Sequence, residues 1–145
     1  MELIATILSG VCVFFLSQLC LEIFIKPIQE YKQLKRDISV CITKNANYYT
    51  SILMYDKCPE EEKQKRLQIS EETRFLASEL RGFIEALPLF YVGIPRRKII
   101  FDTSAELIGL SNGLFHDSLE TNYGFAEGNA THIRQIKKLL KLYDI

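Results

Sequence analysis

The chain has two histidines, His116 and His132, and their imidazoles are its natural candidates for proton transfer near neutral pH. Two are too few for most histidine-based metal centres. There is no glycine-rich phosphate loop, no paired-histidine metal motif and no GxSxG nucleophile elbow. The four cysteines, Cys12, Cys20, Cys41 and Cys58, show no CxxC or CxxH spacing, which argues against zinc. One constellation remains, Ser111, Asn112 and His116 at the end of a periodic apolar segment. His116 could act there as an acid or base. The plainer reading is that Asn112 and His116 cap a helix.

A second set of residues concerns ions rather than bonds. Gln18 and Glu22 lie four apart in an apolar run, and Gln29 continues the same side beyond it. Polar groups on one side of a lipid-embedded helix can turn toward a central opening. The plainer reading is that Glu22, near the end of the run, pairs with Lys26 and reaches interfacial water.

The element that must position this stripe runs from Leu3 to Ile25. It has no lysine, no arginine and one acid, Glu22. As a helix it would extend about 35 Å, enough for a hydrocarbon layer of about 30 Å. Its start, Met1-Glu2, is not basic, and it ends in Ile23-Phe24-Ile25-Lys26. That pattern predicts an uncleaved anchor rather than a signal peptide. Lys26, Lys32, Lys35 and Arg36 follow it and nothing basic precedes it, so the positive-inside rule predicts Met1 outside and the rest in the cytoplasm. A membrane facing the cytoplasm is the expected site, and that reducing compartment argues against disulfides. Thr6, Gly10, Val13, Ser17 and Cys20 form a narrow, mostly small-residue stripe at 4-3-4-3 spacing, of the kind that lets helices approach in lipid.

Residues 26–145 hold all 18 basic residues and all but two of the 18 acids. This near-balance excludes a broad basic surface, so direct DNA binding is not expected. Ile28, Tyr31, Leu34, Ile38, Cys41 or Ile42, Asn45 and Tyr48 mark one stripe of a long helix continuous with the span, broken near Lys57-Cys58-Pro59. Glu60, Glu61 and Glu62 suit the first turn of the next helix. Its stripe is Ile69, Thr73, Leu76, Leu80, Phe83 and Leu87, and Pro88 ends it. A third helix, from about Arg96 to Phe115, turns Ile99, Thr103, Leu107, Leu110 and Leu114 inward. Residues 116–128 read as a loop, and Asn129 as the cap of a short last helix carrying Ile133, Ile136, Leu140 and Tyr143.

The predicted fold is all-α: a transmembrane helix, residues 1–25, continuing into a cytoplasmic four-helix up-down bundle, residues 26–145. Topology would return residues 88–98 to the membrane. Apolar and aromatic side chains there precede Arg96, Arg97 and Lys98, which suits the inner-leaflet interface as well as a loop tucked over the bundle end.

The segment Leu110-Ser111-Asn112-Gly113-Leu114-Phe115-His116 resembles the ribonuclease motif of HEPN domains, helical bundles common in bacterial defence systems. That motif has an arginine, then a polar residue, then a histidine four to six residues after the arginine. Asn112 and His116 match, and Ser111 stands where the arginine belongs, so the resemblance implies a degenerate site with little or no nuclease activity. More widely, Ala77-Ser78-Glu79-Leu80-Arg81, Ala86-Leu87-Pro88 and Leu107 to Asn112 look like small bacterial single-span proteins, and are similar to the membrane accessory proteins of type VI-B CRISPR systems. This implies a divergent HEPN-like bundle, a homo-oligomeric pore and an antiviral role beside an RNA-guided nuclease. The expected partners are membrane lipid, further copies of the chain and such a defence protein. No enzyme activity, cofactor or metal is expected. The alternatives are a non-enzymatic anchor that recruits a cytoplasmic partner, and a HEPN-type ribonuclease.

Overall fold

The computed structural model describes residues 2–51, 53–54, 59–88, 91–116 and 122–142, and at 53, 54, 115, 116 and 122–125 the backbone alone. The expectations resting on Lys57, Cys58, Leu89, Phe90, Tyr143 and the side chain of His116 therefore lie outside the described residues.

Helix α1 (Glu2–Cys20), a π turn (Leu21–Ile25) and α2 (Lys26–Lys44) form one continuous rod, long and apolar enough to cross a membrane. None of its side chains is buried within α1 or the π turn. The wide turn has a local cause. Pro27 lacks an N–H, and in an α-helix its ring would meet the carbonyl of Ile23. The backbone opens just before it, and the Lys26 N–H bonds Leu21 O, five residues back.

Beyond Pro27 the chain folds into a helical bundle. After α2 come α3 (Ala46–Thr50), β1 (Leu53–Met54), α4 (Glu60–Ala86), α5 (Arg97–Asn112), β2 (Phe115–His116) and α6 (Asn122–Leu140). Strands β1 and β2 are two residues each and pair in parallel, Leu53 opposite Phe115 and Met54 opposite His116. Helix α4 packs on α2 and α5, and α6 on α5 and α3.

The stripe expected on α4 is buried throughout: Ile69, Thr73, Leu76, Leu80 and Phe83, with Leu87 just past its end. It meets Tyr31, Ile38, Cys41 and Ile42 of α2, and Ile100, Leu107, Leu110 and Leu114 of the α5 region. Tyr31 and Phe83 stack with ring centroids 6.1 Å apart.

Four sequence expectations need correction. The long helix stops at Lys44 rather than near Lys57, because Asn45 leaves helical geometry (φ −104°, ψ 12°) while its N–H still bonds Cys41 O. Asparagine's short amide favours such local departures, and here Nδ2 donates to Cys41 Sγ at 3.7 Å. On α5 the inward residue of the first turn is Ile100, fully buried, and Ile99 is only half-buried, because the helix starts at Arg97 and its stripe sets in one position later. The last helix begins at Asn122, not Asn129, so helix replaces much of the loop read over 116–128. Gly124 and Gly128 each cost about 1 kcal/mol in a helix relative to alanine, and packing of the α6 face through Ile136 and Leu140 offsets that cost.

Asn129, read as a cap, is instead buried seven residues into α6. Its Nδ2 donates to Tyr49 O (3.0 Å) and Gly113 O (2.8 Å), tying α6 to α3 and to the end of α5. This contact explains Gly113, where a Cβ would lie 1.9 Å from Asn129 Oδ1. Gly113→Ala should therefore destabilise the full chain in detergent by about 1–3 kcal/mol, read as a lowered thermal midpoint. Asn129→Ala should cost much less on that background than on the wild type, because the alanine has already displaced the amide.

Behind this contact sits a buried polar group. Thr73 Oγ1 donates to Ile69 O (2.7 Å), so the Tyr49 hydroxyl donates to Thr73 Oγ1 (2.8 Å). Burial away from water raises the Tyr49 phenol well above its ordinary value of 10.0, with Cys41 nearby adding to the effect. The folded state thus holds the neutral phenol better than the unfolded chain does. That contribution is whole below pH 10.0 and is lost as pH rises through the folded value. Equilibrium unfolding should show wild-type stability falling above pH 10.0 more steeply than that of Tyr49→Phe.

Candidate functional site

The residues singled out by sequence fall into three places. Thr6, Gly10, Val13, Ser17, Cys20 and Gln18 lie exposed on α1, Glu22 is in the π turn, and Gln29 is exposed on α2. The Thr6 hydroxyl donates to Glu2 O (3.0 Å) and that of Ser17 to Val13 O (2.8 Å). Both hydroxyls are thereby satisfied within their own helix and add little bulk to the small stripe. Glu22 pairs with Lys26, one turn on, and both remain about half exposed. The π turn, which contains Glu22, separates Gln18 from Gln29, and the helix rotates less per residue there than in α1.

The second place is the end of α5. Ser111 is buried, its hydroxyl donating to Ile108 O (2.8 Å), and its carbonyl accepts from Ser70 Oγ (3.1 Å). Arg74 of α4 donates Nε to Ser111 Oγ (3.2 Å) and Nη2 to Asn112 Oδ1 (2.7 Å). A guanidinium therefore does stand beside the Ser111–Asn112 pair, but it comes from another helix. His116 is placed only through its backbone pairing with Met54.

Arg74 belongs to a series that sequence reading missed. Arg66, at 0 % exposure, donates to Tyr48 O (3.1 Å), Leu114 O (3.3 Å), Ser51 O (2.5 Å) and Glu62 Oε1 (3.2 Å). Its Nε is unpartnered among the described residues, and its guanidinium lies 5.5 Å from the Tyr48 ring centre. Arg81 donates to Ser104 Oγ (3.1 Å) and covers the Phe101 ring. The three arginines meet α5 and its end in reverse order, at Leu114, Ser111 and Ser104, which makes α4 and α5 antiparallel. The three-residue spacing of Arg66 from Ile69 continues the apolar stripe, but its charge masked that signal.

The third place is the segment before α5. Arg97 donates Nη2 to Leu87 O (2.8 Å) and its N–H to the Tyr91 hydroxyl (3.3 Å), so it braces the loop. Lys98 pairs with Asp102 at 3.0 Å. Arg96 sits at the N-cap of α5 and is exposed. Gly93, with φ 79°, lies against Ile28, one turn past the apolar run. The loop is thus at the α1 end of the bundle, together with the end of α6, where Lys35 Nζ donates to Lys141 O (3.2 Å).

The remaining histidine, His132 on α6, bonds Glu106 Oε2 of α5 through Nδ1 at 2.7 Å, and its ring lies over Gly109. Among the described residues no group of three His, Cys, Asp or Glu gathers as metal ligands. A groove of about 500 Å³ between α2 and α4 is lined by Glu30, Asp37 and Glu79 and by Phe75, which is 62 % exposed.

Comparison with protein-family models, curated proteins and solved structures gave no match. The functional argument therefore rests on the geometry above.

The Glu22–Lys26 pair is exposed, and such i,i+4 pairs contribute about 0.3–0.5 kcal/mol. The Gln18 side chain makes no hydrogen bond among the described residues. Gln18→Leu/Glu22→Leu should therefore shift folding stability in detergent by less than about 1 kcal/mol. A thermal melt checks this, and establishes that any functional loss in the variant is not unfolding.

Proposed function

We propose that this protein is a membrane-embedded homo-oligomer that alters membrane permeability, as a pore-type effector or accessory protein in bacterial antiviral, CRISPR-linked defence. One observation carries the reading: α1 has no buried side chain, and this wholly uncovered apolar helix bears Gln18 and leads into Glu22 of the π turn. In lipid the small stripe of Thr6, Gly10, Val13, Ser17 and Cys20 would pack copies together. Gln18 and Glu22 would then face a central opening, and a ring of Glu22 carboxylates would favour cations. The cations after Ile25 orient the bundle to the cytoplasm of a single-pass inner-membrane protein. A divergent HEPN-like, four-helix bundle would set subunit number and receive the activating signal. The reading is non-enzymatic: Arg74 is already bonded to Ser111 and Asn112, and so is not held free for a phosphate.

A second reading is an anchor that recruits a cytoplasmic partner. It is favoured by the Glu22–Lys26 pair, which gives Glu22 a use without a pore, and by Phe75 in the acidic groove between α2 and α4.

Ion flux from vesicles holding the full chain separates the two. Gln18→Leu/Glu22→Leu should abolish flux with insertion intact, and the solubilised wild type should appear as a closed ring by mass photometry. A monomer at every concentration would end the pore reading. Defence activity unchanged in the double variant would favour the anchor.

A further inference from the structure

The α1 end of the bundle holds a cavity of about 580 Å³, with Tyr31, Gly93 and Leu140 among its walls and Lys35, Arg96 and Lys141 bringing three cations to it. We infer that this cavity binds the phosphate headgroup of an anionic lipid. The inference rests on the reading of α1 as membrane-spanning and gives the bundle a specific lipid ligand.

Depth is the first argument. If Ile25 ends the hydrocarbon, Ile28 lies about 4–5 Å beyond it and Tyr31 about 9 Å, at 1.5 Å per residue. The headgroup layer occupies roughly the first 5–8 Å on each side. Gly93 touches Ile28, so the loop wall of the cavity lies at phosphate level.

Charge is the second argument. The first turn of α5 has no acid and no side-chain cap, although Arg96, Arg97 and Lys98 crowd its positive end. Cations there oppose the helix dipole, and a bound anion relieves that repulsion. Two of the three are occupied, Arg97 by Leu87 O and Lys98 by Asp102, whereas Arg96 turns to the cavity. Lys35 spends one donor on Lys141 O and keeps two. Lys141 itself is held at φ 50°, in the left-handed position where a helix end usually has glycine. The Leu142 N–H closes that turn on Lys137 O at 2.9 Å. A lysine there costs backbone strain that glycine would avoid, and it sets a cation on the cavity rim.

The tyrosine and aliphatic walls complete the match. A headgroup phosphate attached to acyl chains needs cations beside apolar surface, whereas free phosphate needs only the cations.

The test uses the full chain in vesicles of phosphatidylcholine alone, or mixed with phosphatidylglycerol. Lipid retained after gentle solubilisation is read by native mass spectrometry. Arg96→Gln/Lys141→Gln is compared with a charge-matched control, Lys44→Gln/Arg134→Gln. Wild type and control should retain phosphatidylglycerol in preference to phosphatidylcholine. The cavity variant should lose that preference about twenty-five-fold, at roughly fivefold for each cation near the surface. Equal retention by the two variants would overturn the site. Displacement of the lipid by inorganic phosphate alone would overturn the lipid assignment. Failure of wild type to float with neutral vesicles would instead defeat the membrane reading. Flotation without lipid preference would defeat only this inference.

Discussion

A helix that buries none of its own side chains sets the terms for everything else in this protein. Ten large apolar residues between Leu3 and Leu19 stand exposed on α1. Covering such a side chain is worth about 1.5–3 kcal/mol, so together they represent roughly 15–30 kcal/mol. A whole domain has a net stability of about 5–15 kcal/mol. The covering of α1, by lipid or by other copies, therefore outweighs the folding of the bundle. The bundle's position is decided by what α1 dissolves in, and its own packing decides only its shape.

The rod from Glu2 to Lys44 makes that dependence mechanical. A flexible linker would let span and bundle move independently. Here the only interruption before Asn45 is the π turn, and its cause is a single missing N–H at Pro27. Tyr31, Ile38, Cys41 and Ile42 are locked into the core on the far side of it. A tilt or rotation of α1 must therefore either pass into the core or be absorbed at Leu21–Ile25. Glu22 lies in that same turn, so the one acid of the apolar run from Leu3 to Ile25 sits at the rod's interruption.

Periodicity made the apolar faces legible. All five α4 positions read from spacing are buried, and so is Leu87 just past the helix end, because an uninterrupted helix repeats its face wherever it packs. Boundaries were less legible. Asn45 ends α2 through an amide bonded one turn back to Cys41, whereas Asn129 sits inside α6 because its amide finds partners in other parts of the chain, and asparagine alone does not tell the two apart. Arg66 was hidden by its charge. Arginine is ordinarily a surface residue, and only the fold supplies the carbonyls of Tyr48, Ser51 and Leu114 that let one be buried. The degenerate motif was legible in part. Ser111 plainly departs from arginine, but Arg74 reaches it across 37 residues of sequence that no spacing rule connects. In the basic run the charges were visible but not their engagement. Arg97 and Lys98 have partners, and Lys35 and Lys141 join Arg96 only through tertiary contact.

The two ends of the bundle differ in how readily they rearrange. At the end away from α1, most buried polar groups are bonded to one another: Arg66 holds the ends of α3 and α5 through its terminal nitrogens, and Asn129 ties Tyr49 to Gly113. Breaking any one of these leaves a buried group without a partner, at a cost of about 1–3 kcal/mol, so this end resists rearrangement. At the α1 end the contacts are an exposed lysine on a carbonyl, a glycine against an isoleucine, and cations around a cavity. Exposed contacts of that kind exchange with water at little cost. A ligand or partner that biases the protein can therefore do so with least opposition where the rod enters the bundle. That is also the level at which a change in α2 is closest to the uncovered apolar helix α1.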